Sequence, residues 1–274
     1  MNTIKTHSFL RTTLGKTGID VHRIGFSATY RPGKKMIYKA VDEGINYFFG
    51  YGIDTQMTAV MRDVLRKNRE KYVLSTGVYN LIVGYPDIRR TLEKRLRQFG
   101  TEYIDVFLFL GVTKEKDFPQ AARDELYRLR DEGKVRAIGM STHDRKFAGT
   151  LARQGALDVM MIRYNAAHRG AEQDIFPYLQ PHNPGIVSFT ATRWRYLTRP
   201  PRNWPKSEPV PTAGMAYRFV LSNPHVHVCM MAPSNPTQFE MNIKEIRKGP
   251  LDEEEITFIK RFGDAVYRRR KWFM

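Results

Sequence analysis

The sequence predicts an α/β fold, a (β/α)8 barrel (TIM barrel) with an extra C-terminal helix. Three observations carry that reading. Eight short apolar runs alternate with amphipathic segments of helical period along the chain. The runs are often apolar on both faces, as in Val106-Phe107-Leu108-Phe109-Leu110, which suits parallel strands covered on both sides. The 274 residues are close to the ~250 typical of such a barrel. An open doubly wound sheet is the rival, but no Gly-x-Gly-x-x-Gly follows the first strand.

The elements follow in order. Strand one is expected at 22–28 and leads to a helix at 34–43. Strand two at 45–49 follows Gly44, and the helix at 56–67 repeats apolar residues from Met57 to Leu65. Strand three is placed at 72–76 and the next helix at 88–99. Strand four at 104–110 precedes a helix at 121–131, strand five at 135–140 one at 145–153, and strand six at 158–164 one at 173–179. Strand seven at 185–190 is separated from the helix at 212–221 by 198–211, which holds five of the 15 prolines. That segment reads as a rim loop or lid, because it follows the C-terminal end of a strand. Strand eight at 226–231 and a helix at 236–246 complete the barrel. After a Gly249-Pro250 stop, 251–274 reads as a helix with a basic tail. The whole of 1–274 is expected to form a single barrel.

Composition narrows the function classes. One cysteine, Cys229, excludes an intramolecular disulfide framework and a Cys₄ metal site. No His-x-His, His-Glu-x-x-His or carboxylate pair at ligand spacing appears, so no metal is expected. The N-terminus lacks the apolar core of a secretory signal, and no run approaches 18 apolar residues, so a soluble, cytoplasmic protein is expected. The net charge of +17 makes anionic partners more favourable. No nucleic-acid-binding signature accompanies it. The terminal Arg268-Arg269-Arg270-Lys271-Trp272-Phe273 could contact an anionic membrane surface peripherally.

Polar residues crowd the C-terminal ends of strands five to seven, where side chains converge on a barrel mouth. They include Ser141, Thr142 and His143; Arg163, Asn165, His168, Arg169 and Glu172; and Arg193, Trp194 and Arg195. Two histidines, several arginines and one carboxylate make an anion-seeking pocket able to move protons. His143, His168 and Glu172 are the candidates for catalysis, and Arg163, Asn165, Arg193 and Trp194 for holding an anionic small molecule. Each also has a structural reading. Asp144 suits the N-cap of the helix at 145, and Arg169 with Glu172 suits an i,i+3 pair.

Several motifs are jointly specific. They are Leu14-Gly15-Lys16-Thr17-Gly18 with Ile24-Gly25-Phe26, Asp42-Glu43-Gly44-Ile45-Asn46, Thr101-Glu102-Tyr103-Ile104-Asp105, Gly133-Lys134-Val135-Arg136-Ala137-Ile138-Gly139 and Ser234-Asn235-Pro236 with Gln238 and Asn242. In these the chain resembles the aldo/keto reductase family over about 11–246. The resemblance implies carbonyl reduction with NADPH, using a Tyr proton donor supported by Lys, His and Asp. At those four positions it meets other residues: Phe49 for Asp, Asp54 for Tyr without a gap, Gly77 for Lys and Leu110 for His. With a three-residue gap, Tyr51 takes the Tyr position. The resemblance further implies cofactor contacts from Ser141 and Thr142, from Phe189 as the ring under the nicotinamide, and from Ser234, Asn235, Gln238 and Asn242 along the phosphates. Met161 stands where the family has a Gln, and Pro233 removes a backbone donor.

Two readings follow. One is a diverged oxidoreductase-like enzyme, with or without bound NADP, that has lost the standard tetrad. The other is a pseudoenzyme, a non-catalytic ligand sensor or scaffold.

Overall fold

The computed structural model describes residues 9–79, 86–202 and 204–269. A hairpin comes first. Strands β1 (Arg11–Thr13) and β2 (Asp20–His22) pair antiparallel around a 3₁₀ turn at Gly15–Thr17. The barrel strands are β3 (Ile24–Ser27), β4 (Tyr47–Phe49), β5 (Val73–Tyr79), β6 (Ile104–Val112), β7 (Val135–Thr142), β8 (Val159–Arg163), β9 (Gly185–Phe189) and β10 (Val228–Met231). Each runs parallel to its neighbours in chain order, and β10 closes the ring on β3. The helices are α1 (Lys34–Asp42), α2 (Thr55–Lys67), α3 (Ile88–Phe99), α4 (Gln120–Asp131), α5 (Arg145–Gln154), α6 (Ala171–Asp174), α7 (Ala213–Ser222), α8 (Pro236–Ile246) and α9 (Glu253–Arg269). The expected (β/α)8 barrel with its extra C-terminal helix is the fold observed.

Alternation along the strands sorts the side chains into two cores. Tyr47, Val73, Val106, Leu108, Ala137, Val159, Val187 and Val228 fill the barrel interior. Their neighbours Phe48, Leu74, Phe107, Ile138, Met160, Ile186 and Cys229 face the helices. Both faces are therefore apolar, as the strand composition demands. The lone cysteine is a buried packing residue.

The hairpin plugs the bottom of the barrel with Leu14, Ile19 and Val21, which join the interior core. Asn46 ties it down. Its side-chain Oδ1 accepts from the His22 backbone N–H (2.6 Å), and its Nδ2 donates to the Asp20 carbonyl (2.9 Å). The hairpin corrects the single strand expected at 22–28, because Arg23 separates a bottom-capping strand from a barrel strand. Gly15 makes the turn possible: φ is +52°, and a Cβ there would lie 2.4 Å from the Gly185 backbone N. The helix expected at 173–179 is also corrected. It is one turn, α6, followed by a 3₁₀ turn at Phe176–Tyr178, where Pro177 supplies no N–H to continue an α-helix.

Caps place the other helices. Asp54 accepts from the N–H groups of Gln56 and Met57 at the start of α2, Asp87 from Arg90 at α3, and Asp144 from Phe147 at α5. Asn235 accepts from Gln238 at α8, whose first residue is Pro236. The segment 198–211 is pinned across the rim to α9: Trp204 Nε1 donates to the Pro209 carbonyl, and its ring meets Phe262 edge-on at 4.7 Å. Among the described residues no helix is long and apolar enough to cross a membrane. The terminal membrane-contact segment lies largely outside the described residues, which end at Arg269.

Candidate functional site

The C-terminal strand ends open on a cavity of about 320 Å³ above the interior core. Phe49, Leu110, Met161, Phe189 and Met230 form its floor, all on the inward register of their strands. Tyr51, Ser141, His143 and Trp194 are the sequence-predicted residues on its walls, together with Tyr30, Tyr79 and Tyr217. Among the described residues no lysine and no carboxylate lines it.

Tyr51 follows β4. Its ring meets Phe49 edge-on at 4.9 Å and lies nearly parallel to Tyr79. Its hydroxyl accepts from Thr29 Oγ1 (3.3 Å), which is itself 2.8 Å from Ser27 Oγ, so a short hydroxyl chain ends at the cavity. Burial pushes the Tyr79 phenol up, and Tyr51 adds to this. Asp54, by contrast, is spent on the α2 cap and does not line the cavity.

Ser141 ends the inward row of β7 and accepts the Gly111 N–H at its Oγ (3.0 Å). Thr142 is on the outward register, buried, and its Oγ1 accepts the Asp144 N–H (2.9 Å). His143 stands edge-on to Phe189 at 5.3 Å. Burial holds its imidazole below the ordinary range, and Arg163 adds to the effect.

The other candidates are set back from the cavity. Asn165 is wholly buried. Its Oδ1 accepts from Ala167 and His168 N–H, and its Nδ2 donates to the Thr190 carbonyl (2.9 Å), so its amide organises the turn after β8 rather than reaching for a ligand. His168 closes that turn, 7% exposed, with its ring edge-on to Tyr267. Its pKa is driven down to about 3, first by burial and then by Arg163, Arg193, Arg145 and His143. Glu172 accepts from the Tyr164 hydroxyl (2.6 Å), while Arg169 donates to Asp264 of α9 (2.7 Å). The expected Arg169–Glu172 pair is thus replaced by two longer-range contacts, and Arg169 is turned to α9 rather than to the mouth. Arg193 is 1% exposed and donates from Nη1 to the Val266 carbonyl, anchoring the rim to α9. Arg163 is half-buried at the end of β8 beside Arg145 and Arg193.

A second cavity, about 760 Å³, runs outward between the rim and α8. It shares Tyr30, Thr192, Tyr217 and Ala232 with the first, so the two cavities adjoin at these side chains. Ser234, Gln238 and Asn242 line it, beside Arg195, Lys244 and Lys248. Asn235 stays at the helix cap. The Ser234 N–H donates to Gln238 Oε1 (3.0 Å), and Asn242 Nδ2 reaches only the Met231 thioether (3.7 Å), a weak acceptor. The segment between the cavities is strained: Thr190, Arg193, Trp194 and Arg195 have φ of 58°, 49°, 49° and 73°.

The sequence model of the Aldo/keto reductase family matches residues 29–264. The chain belongs to the aldo/keto reductase family. Its fold is similar to that of the aldo-keto reductase AKR11C1 from Bacillus halodurans: TM-score 0.77 and 19% identity to the holo form, covering 93% of this chain and 96% of that one. The apo form gives 0.73 and 20%. A probable aldo-keto reductase of Glycine max is 26% identical over 203 residues, 65% of this chain and 58% of that protein. An NADH-specific methylglyoxal reductase of Escherichia coli K12 is 27% identical over 118 residues, 39% of this chain and 36% of that protein. The matches thus span about three-fifths or less of these relatives' own length. Among the described residues no group of three or more His, Cys, Asp or Glu side chains could hold a metal ion.

Sequence reasoning missed Tyr30, Tyr79 and Tyr217. The signal for Tyr79 was present, because it continues the inward row of residues 73, 75 and 77 on a strand that runs three residues longer than expected.

Proposed function

We propose that the chain binds a nicotinamide dinucleotide, NADP(H) or NAD(H), along the two adjoining cavities, which act as one cleft, and acts as a diverged oxidoreductase on a small molecule in the mouth. The cleft is the observation that carries this reading. It joins a flat apolar ring, Phe189, to a groove flanked by Arg195, Lys244 and Lys248. A stacking floor at one end and exposed cations at the other suit a ligand with an aromatic head and a phosphate-bearing body. A bound dihydronicotinamide supplies hydride to a carbonyl carbon.

The proton must then come from the protein. Tyr51 hydroxyl, linked to Thr29 and Ser27, is placed to donate it from one wall. His143 follows β7, three strand positions around the ring from β4. Held neutral, its imidazole can hydrogen-bond a developing alkoxide without needing an added proton. Phe49 and Leu110 exclude water from the floor, and Tyr79 covers Tyr51. Phe49, Gly77 and Leu110 stand where the resemblance puts the Asp, Lys and His, so slow or altered chemistry is expected. The single reduced cysteine fits a cytoplasmic setting.

The cavity lining, without lysine or carboxylate, favours a second reading in which the cleft binds its ligands without turning them over. One experiment separates the two. Oxidation of the reduced dinucleotide is followed with a panel of small aldehydes and ketones, for the parent, Tyr51→Phe and His143→Gln. Turnover that falls about 10²-fold or more in Tyr51→Phe supports the enzyme. Binding without any turnover supports the sensor.

A further inference from the structure

Three tyrosines stand on three consecutive strands along one side of the mouth. Tyr30 follows β3, Tyr51 follows β4 and Tyr79 ends β5, and all three line the same cavity. The Tyr51 and Tyr79 rings lie 6.3 Å apart and 14° from parallel. Phe189 ends β9, on the opposite side of the closed ring of strands from β5, so it lies across the mouth from Tyr79. Trp194 also lines the cavity, five residues beyond Phe189. Among the described residues five tyrosine or tryptophan side chains are exposed, and three of them, Tyr30, Tyr79 and Trp194, open on this one cavity. Aromatic surface gathered at a concave site and left open to water marks a place where a ligand covers it.

The walls carry no fixed charge. Among the described residues no lysine, arginine or carboxylate lines the cavity. Phe49 and Leu110, standing where the resemblance puts an Asp and a His, make its floor apolar, and Gly77 in place of the Lys brings no cation beneath Tyr79. The polar groups that remain are hydroxyls, such as those of Thr29 and Ser141, and the His143 imidazole, which burial keeps from charging. Arg145 is paired with Asp174, Arg193 donates to the Val266 carbonyl, and Arg163 and Asn165 do not line the cavity. A carboxylate or phosphate brought here leaves water without an ion-pair partner on the walls, which is costly, whereas a flat apolar ring gains contact. The size agrees. A cavity of about 150 Å³ holds a benzene, so about 320 Å³ has room for a nicotinamide ring on Phe189 and one further ring.

We infer that the tyrosine wall of β3 to β5 takes an uncharged aromatic aldehyde or ketone, its ring packed against Tyr79 and Tyr51 and facing Phe189 across the mouth. The inference rests on the mouth being the small-molecule pocket and adds the substrate class. That class is neutral, where the strand-end arginines raised the expectation of an anion.

The test compares three ketones by ligand NMR titration into the full chain. They are acetophenone, 4-acetylbenzoate, which adds only a carboxylate, and cyclohexyl methyl ketone, which lacks the aromatic ring. Acetophenone is expected to saturate, 4-acetylbenzoate to bind at least about tenfold more weakly, and the cyclohexyl ketone about three- to tenfold more weakly. Tyr79→Ala and Trp194→Ala, both at exposed side chains, should each weaken acetophenone binding at least about threefold. Thermal unfolding verifies that both variants fold, and if one misfolds, the other and the parent series decide. The inference is overturned if acetophenone does not saturate, if either comparison ketone binds as tightly, or if both variants bind like the parent. NADH and NADPH are titrated in parallel. Ketone discrimination that holds while neither dinucleotide binds supports the inference and refutes the cofactor reading, so the two fail separately.

Discussion

The His143 imidazole stands edge-on to the Phe189 ring, with centroids 5.3 Å apart and planes at 84°. One residue follows β7 and the other ends β9, so the contact fixes a flat apolar surface against a neutral hydrogen-bonding group at the mouth. Phe189→Ala removes that surface. Dinucleotide affinity is expected to fall about three- to tenfold, the range of an aromatic contact, and Phe189→Tyr to restore most of it. Isothermal titration of the two variants checks this.

Buried imidazoles set the acid limit of the fold. His22 and His227 are held at about 4 and His168 at about 3, in each case chiefly by burial. Each lies below the unfolded value of 6.5, so the unfolded chain binds more protons between 6.5 and those values. Stability is fully present above about pH 6.5 and is lost as pH falls, by up to about 1.4 kcal/mol per pH unit for each histidine. Urea midpoints at neutral pH and about one unit below pH 6.5 should differ, before most carboxylates titrate. A flat profile across that window would contradict the burial of these rings.

The start of the terminal helix is held by a buried arginine of α7. Arg218 in α7 is 4% exposed, donates to both oxygens of Glu255 (2.6 and 2.8 Å), and also donates to the Gly249 and Pro250 carbonyls. Arg218→Met leaves Glu255 and two carbonyls without this donor and is expected to cost about 3–5 kcal/mol. Arg218→Lys should rescue little, because a point charge cannot reproduce the fork. Denaturant unfolding measures both.

Restoring a lysine at Gly77 is not a simple repair. A Cβ at that position would lie 2.1 Å from the Leu108 carbonyl oxygen and 3.0 Å from the Leu110 side chain. Gly77→Lys is therefore expected to destabilise the barrel by about 1–3 kcal/mol and to add no carbonyl-reducing activity. Thermal unfolding alongside a reductase assay tests both halves.

The strands and most helices were legible because their signals are local: apolar rows, Asp144 as a cap, and Gly249-Pro250 as a stop. The bottom hairpin was not, since its short strands are fixed by Asn46, some two dozen residues later. At the site, strand-end position pointed correctly to the cavity for Ser141 and His143, and the family resemblance did so for Phe189. It could not tell that Asn165 spends its amide within its own turn, or that Glu172 turns to Tyr164. Those outcomes depend on turn geometry and on partners distant in the chain. The aromatic walls from Tyr30 and Tyr217 come together only when the barrel closes and α7 docks.

The central claim is that one cleft, from Phe189 to Asn242, holds a dinucleotide. Equilibrium titration of the full chain with NADH and NADPH, read through Trp194 fluorescence at the mouth, tests it most directly. The account predicts saturable binding that is weakened both by Phe189→Ala at one end and by Lys244→Glu at the other. Binding that is absent, or that ignores both substitutions, would contradict it.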